Sequence, residues 1–208
     1  MSKTTAPKEK LWQGRYHKQS DKLLEEFSES ISFDRKLYPY DIEGSRAHVR
    51  MLCDVKLISE ADRDTILRGL NVILQELDSG KFTFDTALED IHMHIESRLT
   101  ALVGPVGEKI HTARSRNDQV ALDLRLYLRD HMGRIRDGIQ DLQESLVGFA
   151  KKNLMVIIPG FTHLQHGQPV LLAHHLLAYV EMLQRDWERL GDALKRTNIL
   201  PLGSGALA

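Results

Sequence analysis

Three polar segments hold residues whose types and spacing could do chemistry. The first is Thr112-Ala-Arg-Ser-Arg-Asn-Asp-Gln119. Ser115 is placed as a helix N-cap, with Asp118 three residues on. A helix start offers free N–H groups and the positive end of its dipole. Arg114 and Arg116 would add fork-shaped cations and Asn117 an amide, a set suited to a carboxylate or phosphate. A capped helix with solvated arginines fits the same spacing, and the residues alone leave both readings open. The second segment is Gly160-Phe-Thr-His-Leu-Gln-His-Gly-Gln-Pro169. Thr162, His163 and Gln165 are hydrogen-bonding groups, and an imidazole can move a proton near neutral pH. Pro169 reads as the first residue of a following helix, which makes the segment a loop between rigid elements. Its bland alternative is a polar connection with structural histidines. The third segment is Phe27-Ser-Glu-Ser-Ile-Ser-Phe-Asp34, where Ser30 and Asp34 would share a helix face. A solvated helix end would look the same.

Long helices are needed to hold these groups. Leu128, Met132, Ile135, Ile139, Leu142, Leu146 and Phe149 are spaced 4,3,4,3,4,3. That is a heptad seam on a helix of about 35 residues, ~50 Å long. Leu176, Val180, Leu183, Trp187, Leu190 and Leu194 repeat the pattern. Upstream, a short helix is expected from Ser20-Asp21, with Leu23, Leu24 and Phe27 on one face. A longer one follows Pro39-Tyr40, with Ala47, Met51, Val55 and Ile58 as its stripe. A third is capped by Ser59 and Asp62, carries Ile66, Leu70, Ile73 and Leu77, and ends at Gly80. A fourth carries Ile91, Ile95, Leu99 and Leu102 and closes at Gly104-Pro105. Residues 1–19 read as an irregular arm, with Trp12 and Tyr16 as anchors. Phe82-Thr-Phe84 and Val156-Ile-Ile158 are too short to define a sheet. The expectation is an all-α protein: a small N-terminal helical domain over 1–112, then the first long helices of an incomplete central bundle over 113–208. Two such seams cannot bury themselves against each other alone, so further helices are expected from a longer chain or from copies. The isolated chain should self-associate or be poorly soluble.

Composition narrows the classes. The chain has 208 residues, 28 Lys+Arg against 29 Asp+Glu, and a formal net charge of −1. There is no basic excess to suggest nucleic acid or an anionic membrane surface as partner. No apolar run reaches the ~18–20 residues of a membrane span. Met1 to Lys10 does not look like a secretory signal. The single cysteine, Cys53, cannot close an intramolecular disulfide, which fits a reducing compartment such as the cytoplasm. His92 and His94 are two apart and would point to different helix faces, His174 and His175 are adjacent, and His163 and His166 are three apart with no acidic or cysteine ligand at the usual spacing. No HExxH, CxxC or GxGxxG occurs. Neither a metal nor a dinucleotide is expected.

These residues resemble one family. Arg114-Ser-Arg-Asn-Asp-Gln119-Val is similar to a signature segment of the argininosuccinate lyases, and so is Gly160-Phe-Thr-His-Leu-Gln165 with Gln168-Pro169. Leu11-Trp-Gln-Gly-Arg15, Ser30-Ile-Ser-Phe-Asp34, Asp41-Ile-Glu-Gly-Ser45, Glu89-Asp-Ile-His92 and Leu200-Pro-Leu-Gly-Ser-Gly205 add to the likeness. The Thr-His motif is shared with the wider fumarase and aspartase superfamily. The resemblance implies an all-α homotetramer whose sites draw on three subunits. It implies reversible β-elimination of argininosuccinate to arginine and fumarate, in arginine biosynthesis, with no cofactor. By match of motif it implies His163 as the catalytic residue and Ser30, Asp34, Arg116, Asn117 and Thr162 as substrate-binding residues. His92, Ser115 and Gln165 would support them. Ala113 and Gly167 stand where the family more often has Gly and Ala. The family's flexible serine loop has no counterpart in these 208 residues, so the isolated chain is expected to be inactive. A non-catalytic helical scaffold is the alternative, and a sister lyase acting on adenylosuccinate is more distant.

Overall fold

The computed structural model describes residues 21–205. The arm expected at 1–19 lies outside them. The described residues fall into two compact units. One runs to Leu124 and takes in 201–205, and the other is Arg125–Leu200.

The first unit is helical. α1, Lys22–Ser28, starts where the Asp21 carboxylate accepts the Leu23 N–H at 2.8 Å. Its expected apolar face is open: Leu23, Leu24 and Phe27 are 74%, 57% and 86% exposed. α2 is the single turn Ile31–Asp34, and α3 is Tyr38–Asp54. α4, Glu60–Asp78, has the expected reciprocal cap between Ser59 and Asp62, and Gly80 follows its end at φ +67°. α5, Ile91–Val103, runs into a tighter helical segment, Gly104–His111. Ile42, Val49 and Leu52 of α3, Ile66, Leu70 and Ile73 of α4, and Ile91, Ile95 and Leu99 of α5 are fully buried. Each such side chain stabilises the fold by roughly 1.5–3 kcal/mol.

The buried face of α3 is not the expected one. Met51 and Val55 are 42% and 56% exposed, and the face turned inward carries Asp41, Ser45 and His48 beside its aliphatics. Polar residues on the inner face conceal the true period from a hydrophobic count.

α6, Arg116–Lys152, is one continuous helix of 37 residues. In the second unit it is followed by β1 (Ile157–Thr162), β2 (Gln165–Leu171) and α7 (Leu172–Thr197). α7 lies on α6 through its heptad stripe. The Arg136 guanidinium stacks over the Trp187 ring at 3.8 Å, and Gln143 Nε2 donates to the Val180 carbonyl at 3.0 Å. The other side of α6 stays open, with Leu128, Ile135, Leu142 and Phe149 between 37% and 54% exposed. Among the described residues, no helix is long and apolar enough to cross a membrane.

The fold is helical as expected, with one exception. Residues 157–171 form an antiparallel hairpin rather than a loop, and Pro169 lies in β2 opposite Pro159 instead of opening α7. A two-stranded ribbon has two free edges, so prolines can sit where no ladder bond is needed.

Close approach in the first unit depends on Gly107. A Cβ there would lie 3.0 Å from both the Thr100 Cα and the Thr100 N. Backbone cannot yield cheaply, so Gly107→Ala should cost about 2 kcal/mol in urea unfolding. Gly133→Ala on α6, with nothing within 4 Å of its added Cβ, should instead gain roughly 0.5–1 kcal/mol.

Candidate functional site

The site residues of the first unit gather around the starts of α2, α5 and α6. Ser30 precedes α2, and its hydroxyl donates to Asp34 Oδ2 at 2.6 Å. The other Asp34 oxygen accepts the Ile91 N–H at 3.2 Å, which ties α2 to the first residue of α5. The Ser30 and Ile31 N–H groups both donate to the Glu89 carbonyl at 2.9 Å. Glu89 itself is held at φ +57°, a left-handed conformation uncommon outside glycine. Burial pushes the Asp34 carboxyl above its ordinary value, partly offset by the Ser30 hydrogen bond.

The α6 start is built as its residue types suggest. Ser115 Oγ accepts the Asn117 N–H at 3.2 Å, and Asp118 Oδ1 accepts the Ser115 N–H at 3.0 Å. Asp118 Oδ2 also takes the Gly203 and Gly205 N–H groups at 3.1 and 3.0 Å. Burial would raise its pKa, but these backbone donors outweigh burial and hold it below the usual range. This contact gives the Pro201–Gly205 stretch a physical role in shaping the helix start. Asn117 is exposed on the first turn. Arg116 is held on several sides. Nε pairs with Asp90 Oδ2 at 3.2 Å, and Nη1 donates to Glu96 Oε1 at 3.0 Å and Gln119 Oε1 at 2.7 Å.

Beneath that turn lies a buried charge cluster. His92 Nδ1 is 3.1 Å from Asp41 Oδ1 and 3.2 Å from Asp123 Oδ2. Gln119 Nε2 donates to Asp41 Oδ1 at 2.5 Å, Arg114 Nη2 lies 3.7 Å from the same oxygen, and Arg114 Nη1 donates to Ser45 Oγ at 2.9 Å. Burial acts to raise Asp41, but His92, Arg114 and Gln119 outweigh it and hold the carboxyl low. Asp123 goes the other way: burial and the Asp41 carboxylate beside it push it up to about 10. The Asp41, His92 and Asp123 donor atoms lie within 4.8 Å of one another, close enough to share a cation. Arg114 already brings positive charge to Asp41, and one retained proton balances the two carboxylates without a metal.

The residues of the second motif lie in the second unit. Thr162, His163 and Gln165 are exposed at the hairpin tip. The two-residue turn is His163-Leu164, with φ of +48° and +62°. Two left-handed residues are the signature of a type I′ turn, normally Asn-Gly. A histidine and a leucine there carry local strain, of the kind that accumulates at functional positions.

Sequence reasoning missed Asp90, Glu96, Asp41 and Asp123 as members of these clusters. Asp90 had a signal, because it caps α5 by accepting the Met93 N–H at 2.6 Å. The other three sit on helix faces whose neighbours become known only once the helices pack. His94 is structural: Nε2 accepts the Asp85 N–H at 2.9 Å, and Nδ1 lies 2.7 Å from the Asp90 carbonyl.

The family described as Lyase matches residues 14–208. The argininosuccinate lyase of Geotalea daltonii is 57% identical over 201 residues, which are 97% of this chain and 44% of that protein. That of Syntrophobacter fumaroxidans is 56% identical over 200 residues, 96% of this chain and 43% of its own length. The chain therefore spans less than half the length of the curated relatives it matches. Among solved structures, EDDS lyase in complex with formate is 32% identical with a TM-score of 0.72, covering 82% of this chain and 33% of that one. A fumarate lyase:delta crystallin from Brucella melitensis, 18% identical with a TM-score of 0.70, covers 87% of this chain and 47% of that one, and shares the fold.

The buried cluster makes a test. Between its ordinary 3.8 and about 10, Asp123 keeps a proton in the folded state that the unfolded chain has released. Its contribution to stability therefore falls as pH rises through that window. Asp123→Asn, which cannot ionise, should flatten the pH dependence of unfolding free energy between about pH 6 and pH 9 by up to ~1.4 kcal/mol per unit. Equal slopes in the two proteins would place the proton elsewhere.

Proposed function

The chain belongs to the lyase family, and from that premise we propose that it is the part of an argininosuccinate lyase that carries His163 and several substrate-binding residues. The likeness to argininosuccinate lyases along 97% of the chain carries this reading. The reaction is the reversible cleavage of argininosuccinate to arginine and fumarate, a step of arginine biosynthesis. A base takes the proton from the carbon next to a carboxylate, and negative charge develops on that carboxylate. The C–N bond then breaks, the guanidino nitrogen leaves with its electron pair and takes up a proton to give arginine, and the new double bond completes fumarate. Proton transfer and bond cleavage involve no net redox change, so no redox cofactor is called for.

In this reading His163 handles a proton of the elimination. Ser30, Asp34, Arg116, Asn117 and Thr162 bind the substrate, and His92, Ser115 and Gln165 support them. Donors at the start of α6 suit a carboxylate on which charge develops, because they are oriented before the reaction begins. The exposed apolar face of α6 supports assembly into the homotetramer proposed for the whole enzyme, in the cytoplasm. That same face favours one other reading, a non-catalytic helical scaffold that assembles without turnover.

Fumarate release separates the two. The chain is assayed alone, then mixed with the remaining portion of the Geotalea daltonii relative. The expected result is turnover in the mixture and none from the chain alone. His163→Gln in the active mixture should lower kcat by about 10²–10⁴-fold. A folded, assembled mixture without turnover would select the scaffold. Turnover by the chain alone would mean that 208 residues hold a complete catalytic set.

A further inference from the structure

Arg116 is the strongest cation near the candidate site, yet its charge is already engaged. Glu96 Oε1 accepts from Nη1 at 3.0 Å and Glu96 Oε2 from Nη2 at 3.4 Å. Asp90 faces Nε at 3.2 Å, and Gln119 accepts from Nη1 at 2.7 Å. A guanidinium has five N–H groups, and the hydrogen bonds to Glu96 and Gln119 use three of them. Nε meets Asp90 as an ion pair, and one Nη2 N–H has no acceptor among the described residues.

Glu96 is itself held from the other side. Its side chain is 8% exposed, and Oε1 lies 3.0 Å from His111 Nδ1. Burial would raise the pKa of this carboxyl, but His111 and Arg116 more than offset burial and keep it below the ordinary range. The carboxylate is thus fixed by α5, by the segment after it and by α6. A cleft of about 430 Å³ opens beside the pair, and Glu89, Asp90, Glu96, Glu108, His111 and Arg116 are among the residues that line it. Among the described residues that line it, carboxylates outnumber the guanidinium and the imidazole. A free anion would gain little there from the charge of Arg116, whereas a single directed N–H can still be presented accurately.

We propose that Glu96 is a positioning residue acting through Arg116, setting the guanidinium so that its remaining Nη2 N–H meets the substrate while its charge is neutralised within the protein. This deepens the lyase reading and rests on it for the identity of the substrate. Recognition at α6 would then depend on direction, from that N–H and from the first-turn amides, more than on net positive charge.

Two measurements test it. The first uses phenylglyoxal on this chain, with modified arginines located by peptide mass. Glu96→Gln should make Arg116 react at least about fivefold faster, because a neutral amide holds a guanidinium less firmly. Arg114, buried at 1% side-chain exposure, should stay unreactive in both proteins. Unchanged Arg116 reactivity would overturn the proposal, and so would Arg114 rising in step, which reports general loosening. The second uses the assembled, active protein. There Glu96→Gln should raise KM about tenfold with kcat within about twofold, the pattern of lost uniform binding. A fall in kcat with KM unchanged would overturn the proposal. Failure of the lyase reading shows separately, as no turnover before any substitution, and arginine reactivity then decides on Glu96 alone.

Discussion

The contact on which most of the first unit depends is the buried meeting of Asp41, His92, Asp123 and Arg114. Two carboxyl groups, an imidazole and a guanidinium are removed from water where α3, α5 and the start of α6 converge. An unpaired charge at such depth costs several kcal/mol, so each helix must arrive in the register that pairs its own group. Ile42, Ile95 and their neighbours supply the favourable burial. Aliphatic side chains would tolerate a helix rotated or slid by a residue, and the charged cluster would not. Its contribution is therefore best understood as register rather than as net stability.

That register reaches the surface through Gln119. Its amide nitrogen donates to Asp41 in the buried cluster, and its amide oxygen accepts from Arg116 near solvent. An amide has one donor end and one acceptor end, so it can join an anionic cluster to a cationic side chain without a charge of its own. Asp118 fastens the opposite side of the same turn through three backbone N–H groups. Asn117 sits between these anchors, on a turn with little freedom to move. For the elimination proposed above, donors fixed in advance would need no reorganisation as charge develops.

Much of this could be read in the residues, for reasons specific to each element. The capping box at Ser59 and the end at Gly80 are local chemistry, complete within a few residues, and they appear as expected. The heptad seams of α6 and α7 are long enough for period alone to define the helices. The α3 stripe misled because Asp41, Ser45 and His48 occupy its inner face, and polar residues there look like surface until Arg114 and His92 are known to meet them. The hairpin was hidden by its turn. His163-Leu164 lacks the Asn-Gly that normally marks left-handed pairs, and Pro169 fitted the first position of a helix equally well. Within the site, Ser30 with Asp34 and Ser115 with Asp118 were legible as short-range pairs. Asp123 and Glu96 were not, since their partners lie on other helices.

The hairpin turn and the α6 start solve the same problem by opposite means. At α6, rigidity comes from many bonds: caps, glycine N–H groups and a buried amide all converge on one turn. At the hairpin tip, Thr162, His163 and Gln165 are exposed, and their geometry is set by backbone shape alone. A type I′ turn matches the twist of its two strands, whereas a type I or II turn would splay them. The ladder from Ile157 to Leu171 thus holds His163 in a conformation that its side chain disfavours. Replacing it by glycine would ease the backbone and remove the imidazole together. The local preference of the chain does not account for a histidine at this position, and its ring is a group of the kind that can move a proton.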